Sequence, residues 1–134
     1  MANRYRILVL EDDQALAEAI AASMEVGGHD ARAEVVTSKT KLEEVVARAR
    51  EWKPDAILLD HHMPVDGTAF LAGFLADPVV RDTPILLFTG ASDVPVEVKR
   101  LVSMTVRKPF QMAGLVSMVE NAVGMHQRAA APPS

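Results

Sequence analysis

Three stretches of this chain are apolar at every position, and each stops on a polar residue. They are Ile7–Leu10 (ILVL) before Glu11, Ala56–Leu59 (AILL) before Asp60, and Ile85–Phe88 (ILLF) before Thr89. Short apolar runs bounded by turn signals predict strands buried on both faces, the pattern of a parallel sheet. The segments between them have a helical period instead. Gln14–Val26 carries Leu16, Ile20 and Met24 on an alanine-rich background, and Gly27-Gly28 ends it. Thr40 and Glu43 match a capping box before Leu42, Val45, Val46 and Ala49, in a helix that runs to about Trp52 and breaks at Lys53-Pro54-Asp55. Thr68–Ala76 predicts a short helix packed through Phe70, Leu71 and Phe74. Arg32–Val36, interrupted by Glu34, and Thr105–Arg107 are weaker strands. Pro95–Leu101 fits a helix of two turns, and Met112–Met125 a last helix with Leu115, Met118, Val119 and Ala122 on one face. Five strands alternating with five helices predict an α/β fold: a doubly wound parallel sheet with right-handed crossovers.

Composition narrows the picture without redirecting it. A chain of 134 residues with 49% apolar positions and mean hydropathy +0.11 fits one globular domain. The expected division is a domain over residues 1–126 and a flexible tail over 127–134, whose RAAAPPS has nothing to bury. A net charge of -4 with no basic run argues against direct nucleic-acid binding by this chain. The absence of cysteine excludes disulfides, thiolate zinc sites and thiol nucleophiles. The apolar run after MANRYR is too short for a signal peptide, and none reaches the length of a membrane span. A cytoplasmic protein without membrane insertion is expected.

Four predicted strands carry polar chemistry just past their carboxyl ends: Glu11-Asp12, Asp60, Thr89 and Lys108. That edge is where open α/β sheets bind ligands. Three carboxylates in one crevice are costly unless compensated. A divalent cation and Lys108 together balance them. Mg²⁺ suits such an oxygen-rich set, with Mn²⁺ as a possible substitute. An Asp beside a metal and a lysine is a credible nucleophile toward phosphorus, because such transfers need positioning and charge neutralisation above all. The Thr89 hydroxyl and the Gly90 backbone amide are placed to meet a phosphoryl oxygen, and Gly90 leaves room for its approach.

ILVLEDD, AILLDHHMPVDG, PILLFTG and VRKPF, in that order, resemble the signature segments of the response-regulator receiver domain of two-component signalling. The likeness runs from about Arg6 to Met125, nearly the whole chain. It implies a flavodoxin-like (βα)5 fold with strand order 2-1-3-4-5. It implies further that Asp60 is the phosphoacceptor, that Glu11 and Asp12 hold Mg²⁺ (Glu11 through water), and that the His62 backbone carbonyl supplies another ligand beside Asp60. Thr89 and Lys108 take the positions of the family's phosphoryl-contacting hydroxyl and lysine, and Lys108-Pro109 that of a cis peptide. The implied function is a stand-alone, single-domain response regulator. It would be phosphorylated by a histidine kinase or a histidine phosphotransfer protein, would assist its own phosphorylation and slow dephosphorylation, and would signal through a downstream protein target without being a turnover enzyme.

The chain departs from that pattern in places. The turn Pro64–Gly67 is about one residue short, and the segment from Thr89 to Lys108 about three. Thr105 stands where the family carries an aromatic residue, and Leu101-Val102 replaces its usual Gly-Ala pair. These departures motivate an alternative, a phosphorylation-independent interaction scaffold on the same fold. A phosphohydrolase of the haloacid-dehalogenase type resembles the site too, but it needs a second Asp where this chain has His62. Standing alone, Asp60 would be read as a turn former, Lys108 as a solvated lysine and Asp13 as a helix starter; it is their company that gives Asp60 and Lys108 a function. His61 and His62, adjacent on extended backbone, are expected to point opposite ways and not to share an ion. The His62 side chain is the candidate for tuning dephosphorylation. Met104, Met112 and Met118 are expected in the core in preference to an adaptable binding face.

Overall fold

The computed structural model describes residues 3–65, 67–90 and 94–130. The elements run β1 Arg6–Glu11, α1 Gln14–Val26, β2 Asp30–Val35, α2 Leu42–Trp52, β3 Ala56–Asp60, α3 Gly67–Ala76, β4 Ile85–Thr89, α4 Val96–Lys99, β5 Met104–Arg107 and α5 Met112–Ala130. The strands form one parallel sheet in the order β2-β1-β3-β4-β5, as the resemblance implied.

Every residue of β3 and β4 is buried, and the period of two in the strands divides them between two layers. Leu8, Leu10, Ile57, Leu59, Ile85 and Leu87 pack with α2 and α3 through Val45, Val46, Phe70 and Phe74. Ile7, Val9, Leu58, Leu86 and Phe88 face the other way, onto Ile20 and Met24 of α1 and Leu115 and Val119 of α5. This is why the three strands read as unbroken apolar runs: both faces are covered. Leu10 pairs with Leu59 and Asp60 with Phe88, so Glu11 and Asp60 leave the sheet side by side.

Several element ends differ from expectation. α2 starts on Lys41, which makes no side-chain cap, and not on a Thr40 capping box. Thr40 is occupied otherwise: its Oγ1 accepts the Thr37 N–H at 2.8 Å within a turn closed by the two threonines. β2 begins at Asp30 because its pairing with β1 extends to Arg6, further than its interrupted apolar pattern suggests. β5 likewise begins one residue early, where Met104 pairs with Leu86. α3 begins at Gly67, one residue before Thr68. α4 is a single turn of four residues where two turns were expected. α5 continues to Ala130, so residues 127–130 of the expected tail are helical. Residues 131–134 lie outside the described set.

Other expectations match what is seen. Asp13 caps α1 by accepting the Leu16 N–H at 3.1 Å, and Gly27-Gly28 ends that helix, Gly28 at φ 94. Met104 and Met112 pack against the α1–α5 layer, but Met118 is 38% exposed, beside a buried stripe formed by Leu115, Val119, Ala122 and Val123. Among the described residues no helix is long and apolar enough to cross a membrane.

Candidate functional site

β1, β3, β4 and the segment after β5 deliver Glu11-Asp12, Asp60, Thr89 and Lys108 to one edge of the sheet. Glu11, Asp60 and Thr89 are almost completely buried there, while Asp12 is exposed. Glu11, Asp12 and Asp60 each place a carboxylate oxygen so that all three lie within 4.8 Å of one another. Lys108 Nζ reaches Asp60 Oδ2 at 3.2 Å and Glu11 Oε1 at 3.7 Å. The Lys108 main chain is fixed as well, its N–H donating to the Thr89 carbonyl at 2.9 Å. Behind it, the Lys108-Pro109 peptide is cis and Phe110 packs on Phe88, with ring centroids 5.0 Å apart.

The second Asp60 oxygen, Oδ1, accepts the backbone N–H of His62 at 3.2 Å. The turn beyond is held tightly. A Cβ on Gly67 would come within 2.6 Å of the Asp60 carbonyl oxygen and 3.0 Å of the His61 Cα, and the Gly67 N–H donates to the His61 carbonyl at 3.3 Å. A side chain at position 67 would therefore push on the backbone that carries Asp60. Asp66, in the same turn, lies outside the described residues. Gly90 faces open space, where a Cβ would meet no atom within 4 Å, and residues 91–93 after it are likewise outside the described set.

The electrostatics of the cluster are unbalanced without a further positive charge. Burial pushes the Glu11 carboxyl up to about 8, and its hydrogen bond to Asp60 and the charges of Asp60 and Asp12 push the same way, against Lys108. Glu11 Oε2 is buried with no hydrogen-bond partner. A buried acceptor left unpaired is expensive. One orphaned oxygen and three converging carboxylates are a donor set that fits a hard divalent cation.

Two neighbours differ from expectation or were missed. His61 and His62 do not point apart: they lie in a bend beyond the strand, where the alternation of extended backbone no longer holds, and their rings are 4.8 Å apart. On the opposite side of the molecule His29 is buried, accepting the Tyr5 N–H at Nδ1 (3.1 Å), meeting Glu120 Oε2 through Nε2 (2.9 Å) and stacking on the Tyr5 ring. Nothing in the sequence around His29 marks it, because its partners are 24 and 91 residues away.

Comparison with known proteins agrees with this geometry. The profile of the response regulator receiver domain family matches residues 7–120. The chain is 27% identical over 118 residues to the DNA-binding dual master transcriptional regulator RpaA of Synechocystis, covering 85% of this chain and 47% of that protein. It is 29% identical over 119 residues to the transcriptional regulatory protein PrrA of Mycobacterium leprae, covering 86% and 48%. The chain thus spans about half the length of the curated relatives it matches. Among solved structures, it shares its fold with the receiver domain of sensor histidine kinase PA1611 from Pseudomonas aeruginosa PAO1, described with a magnesium ion coordinated in its active site cleft. The TM-score is 0.74 at 24% identity, with 91% of this chain and 99% of that one covered. With the fold, the acidic edge and the family profile in agreement over the same residues, this chain belongs to the response-regulator receiver domain family.

Proposed function

We propose that Asp60 accepts a phosphoryl group from a phosphohistidine on a histidine kinase or a histidine phosphotransfer protein, and that the phosphorylated domain acts on a downstream protein target. The observation that carries this reading is the buried Asp60 carboxylate with Lys108 Nζ at 3.2 Å and two further carboxylates within 4.8 Å. In the transfer an Asp60 oxygen attacks phosphorus, the P–N bond to the donor imidazole breaks as the P–O bond forms, and the donor ring leaves with the bonding electrons. Lys108 balances charge on the acceptor and on the incoming phosphoryl oxygens. Thr89 and the Gly90 amide stand at the adjacent strand end to receive another. Glu11, Asp12, Asp60 and the His62 carbonyl are the residues that would hold Mg²⁺, which when bound supplies charge neutralisation to the phosphoryl oxygens. The protein is thereby a phosphoacceptor and not a turnover enzyme.

The name of the Synechocystis relative includes DNA binding, a property of a protein about twice the length of the matched segment. The expectation of no direct nucleic-acid contact for this chain rests on its charge alone. A second reading, the phosphorylation-independent scaffold, is favoured by the single-turn α4 and by Thr105, which is exposed on β5. Intact mass after incubation with Mg²⁺ and a small acyl-phosphate donor separates the two. A phosphoryl adduct absent from Asp60→Asn supports the receiver, whereas no adduct on the parent chain leaves the scaffold. An adduct that appears only transiently, with continuing donor hydrolysis, would indicate a phosphatase.

A further inference from the structure

Two imidazoles follow Asp60 directly, and the phosphoryl chemistry above uses neither ring. With Asp12, Met63 and Pro64 they line an open cleft of about 470 Å³ next to the carboxylates. The main chain of His62 is tied to Asp60 Oδ1, but its ring is exposed. His61 is half-buried beside it, with Nδ1 enclosed and without a hydrogen-bond partner. Asp12, the exposed member of the acidic set, opens onto the same cleft.

Oxygen ligands suit Mg²⁺, whereas an imidazole nitrogen favours borderline cations such as Ni²⁺, Co²⁺ and Zn²⁺. We propose that the His62 imidazole joins Asp12 as a ligand to the divalent cation of the acidic site, giving this chain a mixed nitrogen–oxygen set that takes borderline cations as well as Mg²⁺. The proposal rests on the acidic metal site of the preceding section and alters its expected oxygen-only character. Among the described residues only Glu11, Asp12 and Asp60 already have ligand atoms within 4.8 Å of one another. His62 therefore enters the set by turning its ring, a fast motion for an exposed side chain. The His61 ring lies beside it, with the two centroids 4.8 Å apart. The added nitrogen distinguishes cations by softness, because Mg²⁺ gains little from it.

Calorimetric titration of the full chain with Mg²⁺ and, separately, with Ni²⁺ tests this on the parent protein, His62→Ala and Asp12→Asn. The expected result is that His62→Ala weakens Ni²⁺ binding by an order of magnitude more than it weakens Mg²⁺ binding, while Asp12→Asn weakens both. Equal Ni²⁺ affinity in His62→Ala and the parent overturns the proposal. So does a Ni²⁺ loss in His62→Ala that Asp12→Asn does not share, since the ion would then sit on histidine elsewhere. Mg²⁺ binding indifferent to Asp12→Asn would overturn the acidic site itself, and the proposal with it. That outcome is distinct from one in which Mg²⁺ depends on Asp12 and Ni²⁺ ignores His62.

Discussion

Lys108 is shared between two carboxylates, at 3.2 Å from Asp60 and 3.7 Å from Glu11, and this gives its removal two opposite effects. Lys108→Met takes away a positive charge that competes with a bound cation, so Mg²⁺ affinity rises. The same change removes the counter-charge for the phosphoryl oxygens, and adduct formation slows by about a hundredfold, the scale for losing one preorganised donor at a reacting centre. Calorimetry and time-resolved intact mass on one preparation read the two effects separately. Gly67 constrains the acceptor sterically. With the Asp60 carbonyl oxygen 2.6 Å from where a Cβ would stand, Gly67→Ala must move backbone. A cost of about 1–3 kcal/mol in urea unfolding is expected, typical of overpacking, together with slower phosphorylation of a displaced Asp60.

At the scale of elements, α2 and α3 are joined by Arg50 and Asp77. Arg50 Nε donates to Asp77 Oδ2 at 2.6 Å, while Asp77 Oδ1 accepts the N–H groups of Val79 and Val80 at 2.9 and 3.1 Å. Burial raises the Asp77 carboxyl, but the Arg50 bond and charge and the two backbone donors outweigh it and hold the group below its ordinary 3.8. A depressed folded value means stabilisation that is present above pH 3.8 and lost as pH falls through the folded value. Asp77→Asn should therefore destabilise the protein at neutral pH, and the gap from the parent should narrow in urea unfolding as pH is taken progressively below 3.8. The elements also show what a sequence can convey. β1, β3 and β4 were legible because strands packed on both faces must be apolar throughout, and the site because each of those runs ends on its functional residue. α4 and the start of α2 were not. Pro95–Leu101 contains too few apolar positions to fix a helix length, and Thr40 had two uses, of which the turn with Thr37 prevailed over the cap. The adjacent histidines escape the alternation of extended backbone because both lie past the end of β3, in a bend.

The molecule as a whole is a sheet held between two apolar layers, with its polar chemistry at the carboxyl ends of the strands and its only tryptophan near their amino ends. Trp52 is the last residue of α2, four positions before β3 begins, with the Arg32 guanidinium 4.5 Å from its ring centroid and its carbonyl accepting from Arg6 Nη1. Four residues of β3, Ala56–Leu59, separate that end from Asp60, about 13 Å of extended chain. The placement divides the spectroscopy of this protein in two. Indole emission should follow global unfolding faithfully, since losing the α2–α3 layer frees the ring from Arg32. It should stay constant when Mg²⁺ is added or Asp60 is phosphorylated, because no group at the acidic edge quenches across that distance. A Trp52 intensity change on Mg²⁺ addition would mean that occupation of the edge is felt through the full depth of the sheet. A silent Trp52 would make the same chain its own internal control, with stability and site occupancy read on separate channels.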